Sequence, residues 1–296
     1  VGPTGAVIDF ILEKIARFPL ELQPQFWQPI RYLDVGNHED TVPIPWYYRQ
    51  STADTLFEIA NRFLTVLKKQ DPDLQSAPIL GWNSLYECAL NAGMIAAALE
   101  RQLDFVIDLI DRPQLYKVQL KEALAKYPEL QQAVSYFREL MDPKSANLRE
   151  KRTGSFKNKL LPFGADPTML ATFAGTRRRL NWEKELRKHR KVIIDLRQER
   201  DADRRQLKMI WYLKTFTDYI KYRGMAGRGQ EVTLIIDEVT DMLGQRTKDG
   251  RSILAEDMEE LITRLGRNLG VNVIIAHQNL SQLDERMQNV LMAMGT

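Results

Sequence analysis

The stretch Thr233-Leu234-Ile235-Ile236-Asp237-Glu238 joins an apolar, largely β-branched run to two acids. In a parallel sheet such a run is drawn inward, and the residues after it emerge at the carboxyl end of the strand, where open α/β sheets bind their ligands. Asp237 there would offer a hard oxygen donor to Mg²⁺, partly through water, because that small ion keeps much of its hydration shell. Glu238 would orient and polarise an attacking water. The bland alternative is a buried strand ending in two solvated acids, and a motif this short also matches by chance.

Two neighbours favour the chemical reading. The run Ile275-Ala276-His277-Gln278 places an amide at the tip of a further strand. Gln278 can donate and accept at once and so feel a γ-phosphate through water, or it can simply begin a helix. Arg267, just before Gly270, could reach the phosphates of an adjacent subunit and stabilise transition-state charge. A solvated cation favoured by the helix end explains it equally well, and Arg264 competes for the same role. The opening Val1-Gly2-Pro3-Thr4-Gly5 looks like the start of G-x-x-x-x-G-K-[ST], whose backbone N–H groups wrap phosphates. Gly2, Pro3, Thr4 and Gly5 are thus the candidate nucleotide-binding residues. Ala6-Val7-Ile8 comes next, however, and the sequence holds no G-K-[ST]. Either residues are absent between Gly5 and Ala6, or Gly2 to Gly5 is a different turn, lying after the second strand of the fold.

The elements that must hold these residues can be read from hydrophobic period. Val7, Phe10, Ile11, Ile15 and Phe18 predict a helix over 6–18, and Ile30 to Val35 a strand ended by Gly36-Asn37. Residues 42–48, with two prolines, read as an extended link. Leu56, Ile59, Ala60, Phe63, Leu64 and Leu67 predict a helix over 52–69. Residues 78–141 read as short helices, with Trp82, Leu85 and Leu99 expected inside. Residues 144–175, polar and basic with Gly154, Pro162-Phe163-Gly164 and Pro167, read as a long returning loop with short helices. Strands at 191–196, 232–236 and 271–276 then alternate with helices near 201–222, 253–268 and 280–294, the pattern of a parallel sheet covered on both faces. The strand ends are Asp195, Asp237-Glu238 and His277-Gln278. The expected division is 1–70 and 144–296 for the two parts of one core, with an all-helical insertion over 71–143.

Composition sets bounds. The 296 residues can bury a sizeable core, and a net charge of +3 is too small to argue for nucleic acid. No apolar run approaches the ~18 residues of a membrane span, and no secretory signal opens the sequence. A single cysteine, Cys88, excludes an internal disulfide framework, suits a reducing compartment and reads as buried filler. The three histidines lack metal-ligand spacing. Basic residues gather at Arg149, Lys151 and Arg152, at Arg177-Arg178-Arg179 and over 184–191. These could track a phosphate backbone or form a solvated surface, and Glu183 and Glu185 dilute them. Trp46-Tyr47-Tyr48 could stack on bases, though a packed linker is the commoner explanation.

The order of motifs resembles that of the ATPases of type IV secretion and conjugative DNA transfer, the coupling-protein branch of the HerA–FtsK superfamily. The resemblance runs over nearly the whole chain. Val7–Ala16 is similar to the helix after a D-P-H-G-type turn, which Gly2-Pro3-Thr4-Gly5 would replace. Leu33-Asp34 ends a strand before a proline-containing link, and Trp82 opens a helical insertion. Then come Arg152-x-Gly154, the strand Val192–Leu196, the acidic strand Leu234–Glu238, Arg267-x-x-Gly270, Ala276-His277-Gln278, Gln282-Leu283 and Gly295-Thr296. The departures are the absent G-K-[ST], His277 and a shifted proline link.

The resemblance implies an α/β fold with a RecA-like P-loop NTPase core, a parallel sheet and an all-helical insertion. It implies an ATPase that uses ATP and Mg²⁺ to translocate DNA through a homo-oligomeric ring, six subunits being expected. Asp237 would hold the metal, and Glu238, Gln278 and Arg267 would be catalytic, the arginine acting on a neighbour. It also implies a cytoplasmic location, with membrane or secretion-machinery partners reached through parts outside this chain. The last residues would enter a further core strand, so the chain is expected to be a portion of a larger protein and inactive alone without G-K-[ST]. The competing expectation is a non-hydrolysing scaffold or recruitment subunit with a degenerate P-loop fold.

Overall fold

The structure, a computed structural model, describes residues 6–37, 43–49, 54–70, 83–142, 144, 146–175, 180–188, 191–225, 231–237, 255–276, 281, 283 and 285–292. The chain forms two compact units, one of Val1–Thr41 with Asn181–Thr296 and one of Val42–Leu180. Helices α1 (Ala6–Ala16) and α2 (Gln23–Trp27) and strand β1 (Ile30–Asp34) open the first unit. The second unit holds α3 (Leu56–Gln70), α4 (Asn83–Ala98), α5 (Leu103–Asp111), α6 (Lys117–Lys126), α7 (Gln131–Leu140), α8 (Ala146–Ala165) and α9 (Pro167–Ala174). The chain then returns to the first with α10 (Trp182–Lys188), β2 (Lys191–Asp195), α11 (Ala202–Met225), β3 (Val232–Ile236), α12 (Ala255–Glu259), a π-helical stretch (Glu260–Leu265), α13 (Gly266–Leu269), β4 (Val271–Ile275) and α14 (Glu285–Met292). The compact units break at 41/42 and 180/181, whereas the sequence pattern puts its boundaries at 70/71 and 143/144.

Among its described residues the second unit has helices and connecting segments but no strand, built around aromatic side chains. Trp46, fully buried, stacks on Phe63 at a centroid separation of 4.0 Å and meets Phe163 edge-on at 4.7 Å and Phe173 at 4.5 Å. Trp46 and Tyr47 are therefore core residues, out of reach of any base. The expected loop over 144–175 is corrected to the 20-residue α8 and to α9. Thr153, Phe156, Leu160 and Phe163 recur at helical spacing and are buried, which outweighs Gly154 and the internal Pro162. Pro167 begins α9, where Asp166 caps it by accepting from the Thr168 and Met169 N–H groups. Leu85 is buried and Leu99 half-buried; Trp82 lies outside the described residues.

The first unit is mixed α/β. Its described strands form two separate parallel pairs, β1 with β2 and β3 with β4, in place of the expected single sheet. Among the described residues each pair keeps large apolar side chains exposed, Tyr32 on one and Ile235 and Ile274 on the other, unlike a parallel sheet covered on both faces. Helix α11 contacts the surroundings of both pairs. Near its start, Lys208 Nζ donates to Val35 O at 2.7 Å and Glu199 Oε2 at 2.6 Å, with both side chains buried. In its last turn, Arg223 donates to Leu269 O at 2.7 Å, just before β4. Trp182 of α10 donates to Thr215 at 3.0 Å, fixing α11 from the side.

Candidate functional site

At the carboxyl end of β3, Val232, Leu234 and Ile236 turn to the covered side, and Ile236 is almost wholly buried. Strand β4 runs beside it with Ile236 in register with Ile275, and Ala276 N donates to Ile236 O at 2.9 Å. The two strands thus end together. Asp237 comes directly after Ile236 and is half-buried, and its Oδ2 is sealed from solvent with no hydrogen-bond partner among the described residues. A carboxylate oxygen in that state lacks the donor that burial normally demands. A cation would supply the missing partner, so Asp237 fits Mg²⁺. Among the described residues no cluster of three or more His, Cys, Asp or Glu could cage a metal. One carboxylate completed by substrate phosphates is the usual arrangement for Mg²⁺.

The approach to β4 is also defined. Arg264 lies in the π-helical stretch and Arg267 in α13, so both stand on helical backbone just before the strand. A π-helical turn is rare and occurs often at functional sites. Gly270, at φ +66°, turns the chain from α13 into β4, a conformation that favours glycine. Glu238, His277, Gln278 and Gly2 to Gly5 lie outside the described residues.

The other strand ends hold a group that the sequence pattern does not assemble. Asp34 ends β1 and Asp195 ends β2, and the two are register partners. Gln198 Nε2 donates to Asp34 Oδ2 at 2.9 Å. Asp195 is buried and accepts from the Tyr32 hydroxyl at 2.5 Å and from the Arg197 backbone N–H and Nε, each at 2.9 Å. The Arg197 guanidinium also donates to Asp9 Oδ1 of α1 at 2.8 Å. Burial, then the charge of Asp195, raises the Asp34 carboxyl above its ordinary value. Burial also acts to raise Asp195, but bonds from Arg197 and Tyr32 outweigh it and hold that carboxyl below its ordinary value. The turns after β1 and β2 interlock: a Cβ on Gly36 would stand 2.5 Å from Glu199 N. The signal visible in sequence is that both strands end in Asp; their adjacency is a property of the fold.

Neither a scan against protein-family models nor a search of curated proteins finds a match for this chain.

Proposed function

We propose that this chain forms a motor core of the RecA-like P-loop ATPase kind that moves DNA, working in the cytoplasm as a homo-oligomeric ring, of six subunits by resemblance. The observation that carries the reading is the buried Asp237 Oδ2, without a partner among the described residues, at the joint end of two parallel strands. Asp237 would hold Mg²⁺, and Gly2-Pro3-Thr4-Gly5 with the amino end of α1 would face the phosphates. When bound, Mg²⁺ would neutralise charge developing on the phosphoryl oxygens. Glu238 would accept a hydrogen bond from the attacking water and turn it toward phosphorus. Gln278 would hold that water from the end of β4. Arg267, or Arg264 in its place, would meet the phosphates bound by a neighbouring subunit.

One observation favours the non-hydrolysing scaffold instead: the sequence contains no G-K-[ST]. Hydrolysis and oligomer mass, measured on the full-length protein with and without DNA, separate the two. The motor reading expects DNA-stimulated hydrolysis by a ring, with DNA affinity falling steeply with salt as counterions are released. Protein that neither hydrolyses ATP nor responds to DNA contradicts the motor and supports the scaffold.

A further inference from the structure

We propose that Arg197 is a positioning residue that ties the first turn of α1 to the strand ends of the β1–β2 pair. The inference rests on the nucleotide reading above, because α1 is the helix directly after Gly2-Pro3-Thr4-Gly5. Arg197 is itself held firmly: its backbone N–H and Nε bind the two oxygens of Asp195 at 2.9 Å, and its Nη2 lies 2.8 Å from Asp195 Oδ2. Asp195 cannot swing away, because it is buried and also receives the Tyr32 hydroxyl. The strand therefore fixes the guanidinium plane, and the remaining fork nitrogen, Nη1, reaches Asp9 Oδ1 at 2.8 Å across 188 residues of sequence. Asp9 stands in the first turn of α1. A planar guanidinium presents separate N–H edges to the two carboxylates in one fixed geometry, which the point charge of an ammonium does not reproduce.

The bland explanation is an ion pair that does nothing, since Asp9 is 61% exposed and exposed pairs are weak. A weak tie still has a use at this place. A helix that presents backbone N–H groups to phosphates works only when its end is held close to one geometry, to within about 0.5 Å. Restraint of the amino end of α1 is the quantity that the Arg197–Asp9 contact controls, whereas the bonds from Arg197 to Asp195 support the fold itself.

The test uses full-length protein and the variants Asp9→Asn, Arg197→Lys and Arg197→Ala. Two quantities are read: backbone hydrogen exchange across residues 9–16, and affinity for Mg-ATP set against turnover at saturation. Asp9→Asn changes only an exposed atom pair and keeps the fold. Asp9→Asn and Arg197→Ala are expected to quicken α1 exchange roughly threefold. ATP affinity should fall by a similar factor, with turnover at saturation nearly unchanged. Arg197→Lys should fall between them and wild type. Unchanged exchange in both Asp9→Asn and Arg197→Ala overturns the tie, and faster exchange with unaltered affinity overturns the positioning role. Wild-type protein that binds no ATP instead overturns the nucleotide reading, and exchange alone then decides the tie.

Discussion

The two strand pairs of the first unit carry acids at the same topological place and treat two of them, Asp195 and Asp237, in opposite ways. At the end of β2 both oxygens of Asp195 are bound, by Tyr32 and Arg197, while Asp34 beside it accepts from Gln198 through Oδ2 and keeps a buried Oδ1 without a partner among the described residues. At the end of β3, Asp237 keeps a buried oxygen without a partner among the described residues. Burial of an unsatisfied carboxylate oxygen costs free energy, and folding leaves few such atoms uncompensated. Asp195, with both oxygens bound, is therefore read as architecture and Asp237 as a ligand position; Asp34, with one oxygen bound and one not, stands between them. Both ends look alike in sequence, an apolar run leading into Asp; the inventory of partners separates Asp195 from Asp237.

The largest expected effect falls at the β3 end. Glu238→Gln in the full-length protein should leave ATP binding nearly intact and lower turnover by at least ~100-fold, as removal of a water-activating carboxylate does. Steady-state hydrolysis alongside equilibrium binding reads both, and a wild-type rate removes Glu238 from the mechanism.

Next comes Asp195→Ala, which strips Arg197 and Tyr32 of their shared acceptor. A loss of about 2 kcal/mol is expected from denaturant unfolding, scaled down from a fully buried pair because Arg197 is partly exposed. Since the folded carboxyl titrates below its ordinary value, its contribution is present above that value and disappears as pH falls through the lowered one. The penalty of the substitution should shrink in acid accordingly. A variant as stable as wild type at pH 7 would mean that this network is not architecture.

Asp34 should behave with the opposite sign. Its raised carboxyl favours the fold below the ordinary value of about 3.9, and that contribution is lost as pH rises through the raised value. Asp34→Asn keeps an acceptor for Gln198 and removes the charge beside Asp195. It should stabilise the protein at pH 7 by less than about 1 kcal/mol after solvent screening, and the gain should fade toward pH 4. A loss of stability at pH 7 would show that Asp34 works as a charged acceptor.

Periodicity is what the sequence makes legible. The strands near 30, 191, 232 and 271 and the helix from Ala6 stand where their apolar spacing puts them. Helix α8 is hidden because Gly154, Pro162 and Gly164 carry strong loop signals, while its buried stripe Thr153, Phe156, Leu160 and Phe163 is sparse. Local propensity yields there to packing against the aromatic core. The Asp34–Asp195 pair and the Lys208–Glu199 ion pair depend on strand neighbours and turns distant in sequence, which spacing does not encode. Asp237 stands out from its strand alone; the burial of its Oδ2 without a donor among the described residues is visible only in the structure.

The most direct test of the distinction between the two ends is Mg²⁺-dependent, DNA-stimulated ATP hydrolysis by full-length Asp237→Asn, with its thermal melting as control. Hydrolysis is expected to fall by at least ~100-fold while stability stays within about 1 kcal/mol of wild type, because Asp237 Oδ2 accepts no hydrogen bond among the described residues. Wild-type hydrolysis in that variant, or a collapse of its stability like that expected of Asp195→Ala, would contradict the reading of Asp237 as the acid reserved for a cation.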